Sequence, residues 1–164
     1  MTTMQVISEW VRLTNQQFVP QRKRCTEFKE LFSGYFSEEF LAKSYYVVVP
    51  QIPVPAYQFP EQNGLTDLFN RDLAGLTLDD TYYLIPAVED NLRIHFHELV
   101  HVAQWRHWGF EGFVSRYLEE LTDYGYDEMP LERMARELDT QCVAGGPMVD
   151  VPSIIQTLNW HPHA

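Results

Sequence analysis

Residues 89–109, EDNLRIHFHELVHVAQWRHWG, read as a single helix that carries a reactive centre, and the rest of the chain can be placed around it. Leu92, Phe96, Leu99, Val100 and Ala103 recur at the three- and four-residue spacing of one helical face, and Gly109 supplies a C-terminal stop. Inside this helix stands His97-Glu98-Leu99-Val100-His101. Positions four apart differ by only about 40° in azimuth, so the two imidazoles project together. Each can offer one nitrogen to a tetrahedral ion at about 2.0–2.1 Å. Glu98 is turned away from that axis, where a carboxylate serves as base for a metal-activated water rather than as a ligand. Leu99 and Val100 suit a buried helix, and histidines set among such neighbours need partners. The plainer alternative is two histidines and a glutamate on a solvated helix face.

Composition bounds what surrounds this helix. With 164 residues, 45% hydrophobic and 21% charged, the chain is expected to fold as one domain. Twelve Lys and Arg against 23 Asp and Glu give a net charge of −11, which argues against nucleic acid and anionic membrane surfaces as partners. A basic peptide would suit such a surface, but solubility explains the charge more simply. Two cysteines, Cys25 and Cys142, allow one disulfide but no disulfide scaffold. The N-terminus MTTMQVISEWVRLT lacks a basic leader region, and Glu9 and Arg12 interrupt its hydrophobicity. Free thiols without a signal peptide or membrane span point to a cytoplasmic location.

Along the chain, Met4, Val6, Ile7, Trp10, Val11 and Leu13 predict an amphipathic helix over 3–18. Gln21 to Arg24 reads as a basic turn, Thr26 to Phe32 as a short helix closed near Gly34, and Tyr45 to Val49 as a strand halted by Pro50. Pro50, Pro53, Pro55 and Pro60 make a stretch that can join no central ladder, and Asn63-Gly64 is a turn signal. Asp67 to Leu73 suggests a short helix and Thr81 to Ile85 a second strand. Beyond Gly109, helices are expected over about 111–121, from Leu131 to before Gly145, and over Ser153 to Leu158. The sum is an α+β chain with a small sheet and a helical C-terminal half.

A catalytic zinc site needs a third protein ligand and an open fourth position. Pro130 fits a helix start, and Glu132 falls in that helix's first turn, on the side away from Met134 and Leu138. Ala135 is small enough for this helix to approach another closely. Glu132 is therefore the favoured third ligand, with Glu128, Glu137 and Asp139 as rivals. By itself it also reads as an acidic residue facing a helix dipole.

HELVH followed by a glutamate in an E-x-x-A context on a later helix resembles the gluzincin branch of the zincin metallopeptidases, close in layout to its very small single-domain members. The resemblance covers roughly Thr81 to Cys142, within a core counted as residues 76–145; residues 1–75 lie outside it and have no assigned role. It implies a zincin-like domain with His97, His101 and Glu132 as ligands to Zn²⁺ and Glu98 as general base. It also implies hydrolysis of a peptide or protein substrate, with an edge strand before the active-site helix receiving extended substrate; Thr81 to Ile85 is placed to be that strand. The pattern departs from larger gluzincins at Arg136, where an aspartate four residues after the ligand often supports a zinc-bound histidine. Asp139, seven residues on, returns to the same helix face. For the oxyanion, Tyr117, Tyr124 and Tyr126 all remain candidates. The competing reading is a zincin-like domain that binds zinc or a protein partner without turnover.

Other features have simpler assignments. Gln104, Trp105 and Trp108 read as packing residues, and His95 and His107 as surface residues off the ligand face. His161 and His163 belong to a tail that can bind metal adventitiously, and Cys25 has the chemistry to silence a zinc site if it reached one.

Overall fold

The computed structural model describes residues 2–56 and 64–157; Pro60, Asn63, Leu158, His161 and His163 lie outside the described residues. Helix α1, Thr3–Phe18, matches its expected span. Thr2 and Gln5 close a capping box, each side chain accepting the other's backbone N–H. Val6, Ile7 and Val11 are buried along its inner face.

The next segment differs from the sequence expectation. Lys23–Arg24 forms a two-residue strand, β1, rather than a turn, and pairs antiparallel with Tyr46 and Tyr45. The Arg22 guanidinium lies 3.6 Å over the Tyr45 ring, a cation–π contact that draws the segment onto the sheet. The helix expected over 26–32 is reduced to a 3₁₀ turn, Cys25–Phe28, followed by further turns. Packing prevails over propensity here. Phe32, Tyr35 and Phe36 all meet the Phe96 ring edge-on, with centroids 5.2–5.3 Å away.

Helix α2, Glu38–Ala42, was not expected; Ser37 caps it by accepting the Phe40 N–H at 3.0 Å. Strand β2, Tyr45–Val48, ends ahead of Pro50 as expected. Helix α3, Leu65–Phe69, starts two residues before the expected span and ends four before it.

A further strand, β3 (Gly75–Leu78), precedes β4 (Thr81–Leu84), and Asp79, at φ 62°, turns the chain between them. The sheet order is β1-β2-β4-β3, with β2 and β4 parallel and the other pairs antiparallel. The edge position expected for Thr81 to Ile85 therefore belongs to β3. All four β4 residues are buried, as a strand paired on both sides requires. Tyr82 and Leu84 enter one core cluster with Phe96 and Leu99, while Tyr83 enters the other with α1, the two-residue alternation of a covered sheet.

The decisive helix is α4, Leu92–Tyr124, bent at Gly109 into arms of residues 92–108 and 110–124. Asn91 caps it, accepting N–H bonds from Arg93 and Ile94. Phe96, Leu99, Val100 and Ala103 are buried as predicted, but Leu92, at the exposed first turn, is 42% exposed. Helix α5, Pro130–Val143, packs along α4, and α6, Val151–Gln156, closes the first cluster through Val151 and Ile155. Cys25 and Cys142 are free thiols. Among the described residues, no helix is long and apolar enough to cross a membrane.

At φ 75° and ψ 169°, Gly109 occupies a backbone region essentially closed to other residues, although a Cβ there would touch nothing within 4 Å. Gly109→Ala is therefore expected to destabilise the fold by about 1–3 kcal/mol through backbone strain alone. Urea unfolding measures it, and an unchanged midpoint would contradict the strained bend.

Candidate metal centre

One turn of α4 presents His97 and His101 to α5, whose first turn presents Glu132. The His97 Nε2, His101 Nε2 and Glu132 Oε2 atoms stand 3.2 Å from one another on all three sides. Bonds of about 2.0–2.1 Å to a tetrahedral ion put neighbouring ligand atoms about 3.3–3.4 Å apart, so this triangle has the size of one tetrahedral face. These three residues form a group able to hold a metal ion.

The hydrogen bonds behind the rings determine what the front atoms can do. His97 Nδ1 lies 2.8 Å from Asp139 Oδ2, and His101 Nδ1 lies 2.7 Å from Gln104 Oε1. Both oxygens accept, so both Nδ1 atoms donate, and in the neutral rings each Nε2 carries a lone pair. Two lone pairs and a carboxylate oxygen then face a common point with no donor among them. Such a group needs a cation: a metal ion, or protons in its absence.

Proton uptake is what the isolated protein provides for. Burial opposes charge on His97, but hydrogen bonds to Asp139 and Glu132 outweigh it and raise the pKa to about 10. His101 is likewise raised, its burial overcome by the Glu132 carboxylate. Glu132 is held well below the usual carboxylate range, because His101 and His97 outweigh its own burial. Asp139 is lowered too, its burial offset by bonds from His97 and Arg93.

Three side chains fix the first turn of α5. Glu120 accepts the Leu131 N–H at 2.7 Å through Oε1 and the Arg116 Nε–H at 2.9 Å through Oε2. Gln104 donates to the Leu131 carbonyl at 3.1 Å while its oxygen holds His101. The two peptide groups flanking Leu131, the residue immediately before Glu132, are therefore each held by a side chain of α4. Sequence reading took Gln104 for packing; its three-residue spacing from His101 was the available signal. Arg93 stands four residues before His97 on the same face, but neither its spacing nor that of Glu120 identifies a partner.

Glu98 is buried beside this triangle. Thr77 of β3 donates to its Oε1 at 3.0 Å, and burial raises its pKa. A Cβ at Gly75 would lie 3.3 Å from Glu98 Oε2, so β3 passes directly against the carboxylate. A largely apolar, partly open pocket lies beside Glu98, His101 and Glu132. Ile7, Trp10, Leu68, Phe69, Leu76 and Leu118 supply much of its wall. A more open groove, which includes Arg71, Arg93 and Asp139, adjoins His97 and Glu98 on another side.

The remaining candidates separate cleanly. Glu128 and Glu137 are exposed and take no part in the triangle. Asp139 is not among the three converging residues but supports His97 from behind. Tyr117 and Tyr126 line the cavity, whereas Tyr124 is 56% exposed. His107 is exposed, but His95 is not the surface residue its position suggested. It is buried, donating from Nε2 to the Glu89 carbonyl at 2.7 Å and accepting from the Tyr82 hydroxyl at Nδ1, 2.6 Å away. Both nitrogens are used inside the core, so neither is free for a metal. Cys25 is buried against the same Tyr82 hydroxyl, its pKa pushed up to about 12 by burial, and it has no role at the triangle. The chain matches no protein-family model, and comparison with curated proteins and with solved structures gives no match.

The raised His97 pKa makes a signed prediction. A group titrating near 10 when folded and near its ordinary value of about 6.5 when unfolded stabilises the metal-free protein below pH 6.5. That contribution is lost as pH rises toward 10. Metal must displace the same protons, so binding at pH 7 is expected to release at least one proton and to tighten with rising pH. Calorimetric titration in buffers of different ionisation enthalpy detects this; binding without proton release would contradict the protonated triangle.

Proposed function

We propose that the chain is a zinc-dependent peptidase of the gluzincin type, in which His97, His101 and Glu132 hold the ion and Glu98 is the general base. The observation that carries this reading is the 3.2 Å triangle of acceptor atoms with a separate buried carboxylate beside it. Two imidazoles and one carboxylate are a donor set used by catalytic zinc, with the fourth position left for water or substrate. When bound, zinc supplies a Lewis acid that polarises a carbonyl and lowers the pKa of water toward about 7.

The protein's own residues do the remainder. Glu98 takes the proton of the attacking water and passes it to the leaving amine, a transfer suited to a carboxylate whose pKa burial has raised. Thr77 orients the Glu98 carboxylate through its hydroxyl. Tyr117 or Tyr126, both of which line the pocket, would donate to the developing oxyanion. The outer edge of β3, which pairs with no further strand among the described residues and lies against Glu98, is where an extended peptide would add as a further strand. The apolar lining of the pocket would favour an apolar side chain of the substrate. Asp139 meets His97 as an aspartate at position 136 would, which favours the catalytic reading; the small size and the unassigned residues 1–75 are the grounds for a non-catalytic binder.

Purified protein is expected to carry one zinc per chain, lost in His97→Ala. Glu98→Gln should keep the metal while peptide cleavage falls by about 10²–10⁴-fold. A zinc-loaded wild type that cleaves nothing in a diverse peptide library sinks the peptidase reading, as does a Glu98→Gln variant that cleaves normally. In the same library, peptides with Phe or Leu beside the scissile bond should exceed those with Ser or Asp. Leu118→Trp, which fills the cavity, should reverse that preference without altering zinc content.

A further inference from the structure

We propose that Arg93 is a positioning residue for the metal site: one turn before His97 on α4, it holds Asp139 where that carboxylate orients the His97 ring. Arg93 Nε donates to Asp139 Oδ1 at 2.8 Å, and Asp139 Oδ2 receives the His97 Nδ1 proton at 2.8 Å. The two carboxylate oxygens are thus divided between a guanidinium and an imidazole presented by the same helix face, four residues apart. Arg93 also reaches the next residue of α5, its Nη2 donating to Thr140 Oγ1 at 2.8 Å. That second anchor fixes the guanidinium plane, and the plane then fixes the Asp139 rotamer. Lysine, a single point of charge, cannot span both partners.

The pair's exposure distinguishes this role from ordinary stabilisation. Arg93 is 51% exposed and Asp139 only 5%. An ion pair with one partner so exposed adds little to folding stability. Its effect falls instead on the buried carboxylate and, through it, on the His97 lone pair that faces the triangle. This inference rests on the metal-binding part of the proposed function and not on peptide cleavage.

The test uses the full chain as wild type, Arg93→Met, Arg93→Lys, Asp139→Asn and the Arg93→Met/Asp139→Asn double variant. Zinc affinity is measured by competition with a chromogenic chelator, and the urea midpoint of each metal-free protein is measured alongside. Asp139→Asn should weaken zinc by about 10–100-fold, the usual cost of losing a hydrogen-bond partner behind a ligand. Arg93→Met should weaken it by roughly tenfold and Arg93→Lys by less, with metal-free midpoints close to wild type. The double variant should bind no more weakly than Asp139→Asn alone, because Arg93 acts only through Asp139. Wild-type affinity in Arg93→Met overturns the proposal, and so do losses that multiply in the double variant.

Should Arg93→Met fail to fold, Arg93→Lys carries the same decision, and wild-type affinity in it is fatal. Should wild type bind no zinc, the proposed function falls, and Arg93 is judged on the metal-free protein by NMR. A slowly exchanging His97 Nδ1 proton that is lost in the Arg93 variant supports the positioning role. The same proton signal retained in both overturns it.

Discussion

The fold is organised around an unfavourable demand, the crowding of three acceptor atoms at 3.2 Å within a buried site. Lone pairs removed from water without donors cost free energy, and no local helix preference supplies the compensation. The protein meets the demand by fixing every group behind the triangle. Asp139 and Gln104 set the tautomers of the two rings, while Glu120 and Gln104 hold the two peptide groups flanking Leu131. Glu132 cannot retreat without breaking that grip. The result is a preformed cradle for positive charge, built from the contact of two helices.

Much of this was legible in sequence, because its signals were periodic. The apolar spacing from Phe96 to Ala103, the stop at Gly109 and the Pro130 start of α5 are local features, and α4 and α5 follow them closely. His97, His101 and Glu132 could be brought together because helical spacing and one small residue, Ala135, constrain how two helices meet. Asp139 was reachable by the same reasoning, two turns beyond Glu132.

What escaped the sequence depends on contacts between distant segments. Gly75–Leu78 is too short and too weakly patterned to announce a strand, so the edge of the sheet was assigned to β4. His95 reads as exposed when only its own helix is considered. Its burial depends on Tyr82 and on the aromatic residues of the N-terminal third. Cys25 follows the same logic. Arg93 lies on the correct face, but its partners, Asp139 and Thr140, are more than forty positions away.

The aromatic cage around Phe96 has a consequence for how the two ends of the chain communicate. Phe32, Tyr35 and Phe36 pack edge-on around the residue immediately before His97, so the N-terminal third is in direct contact with the turn that carries the triangle. Coupling of this kind is reciprocal. An ion held at the triangle would bind the folded arrangement alone and so would protect the cage from local opening.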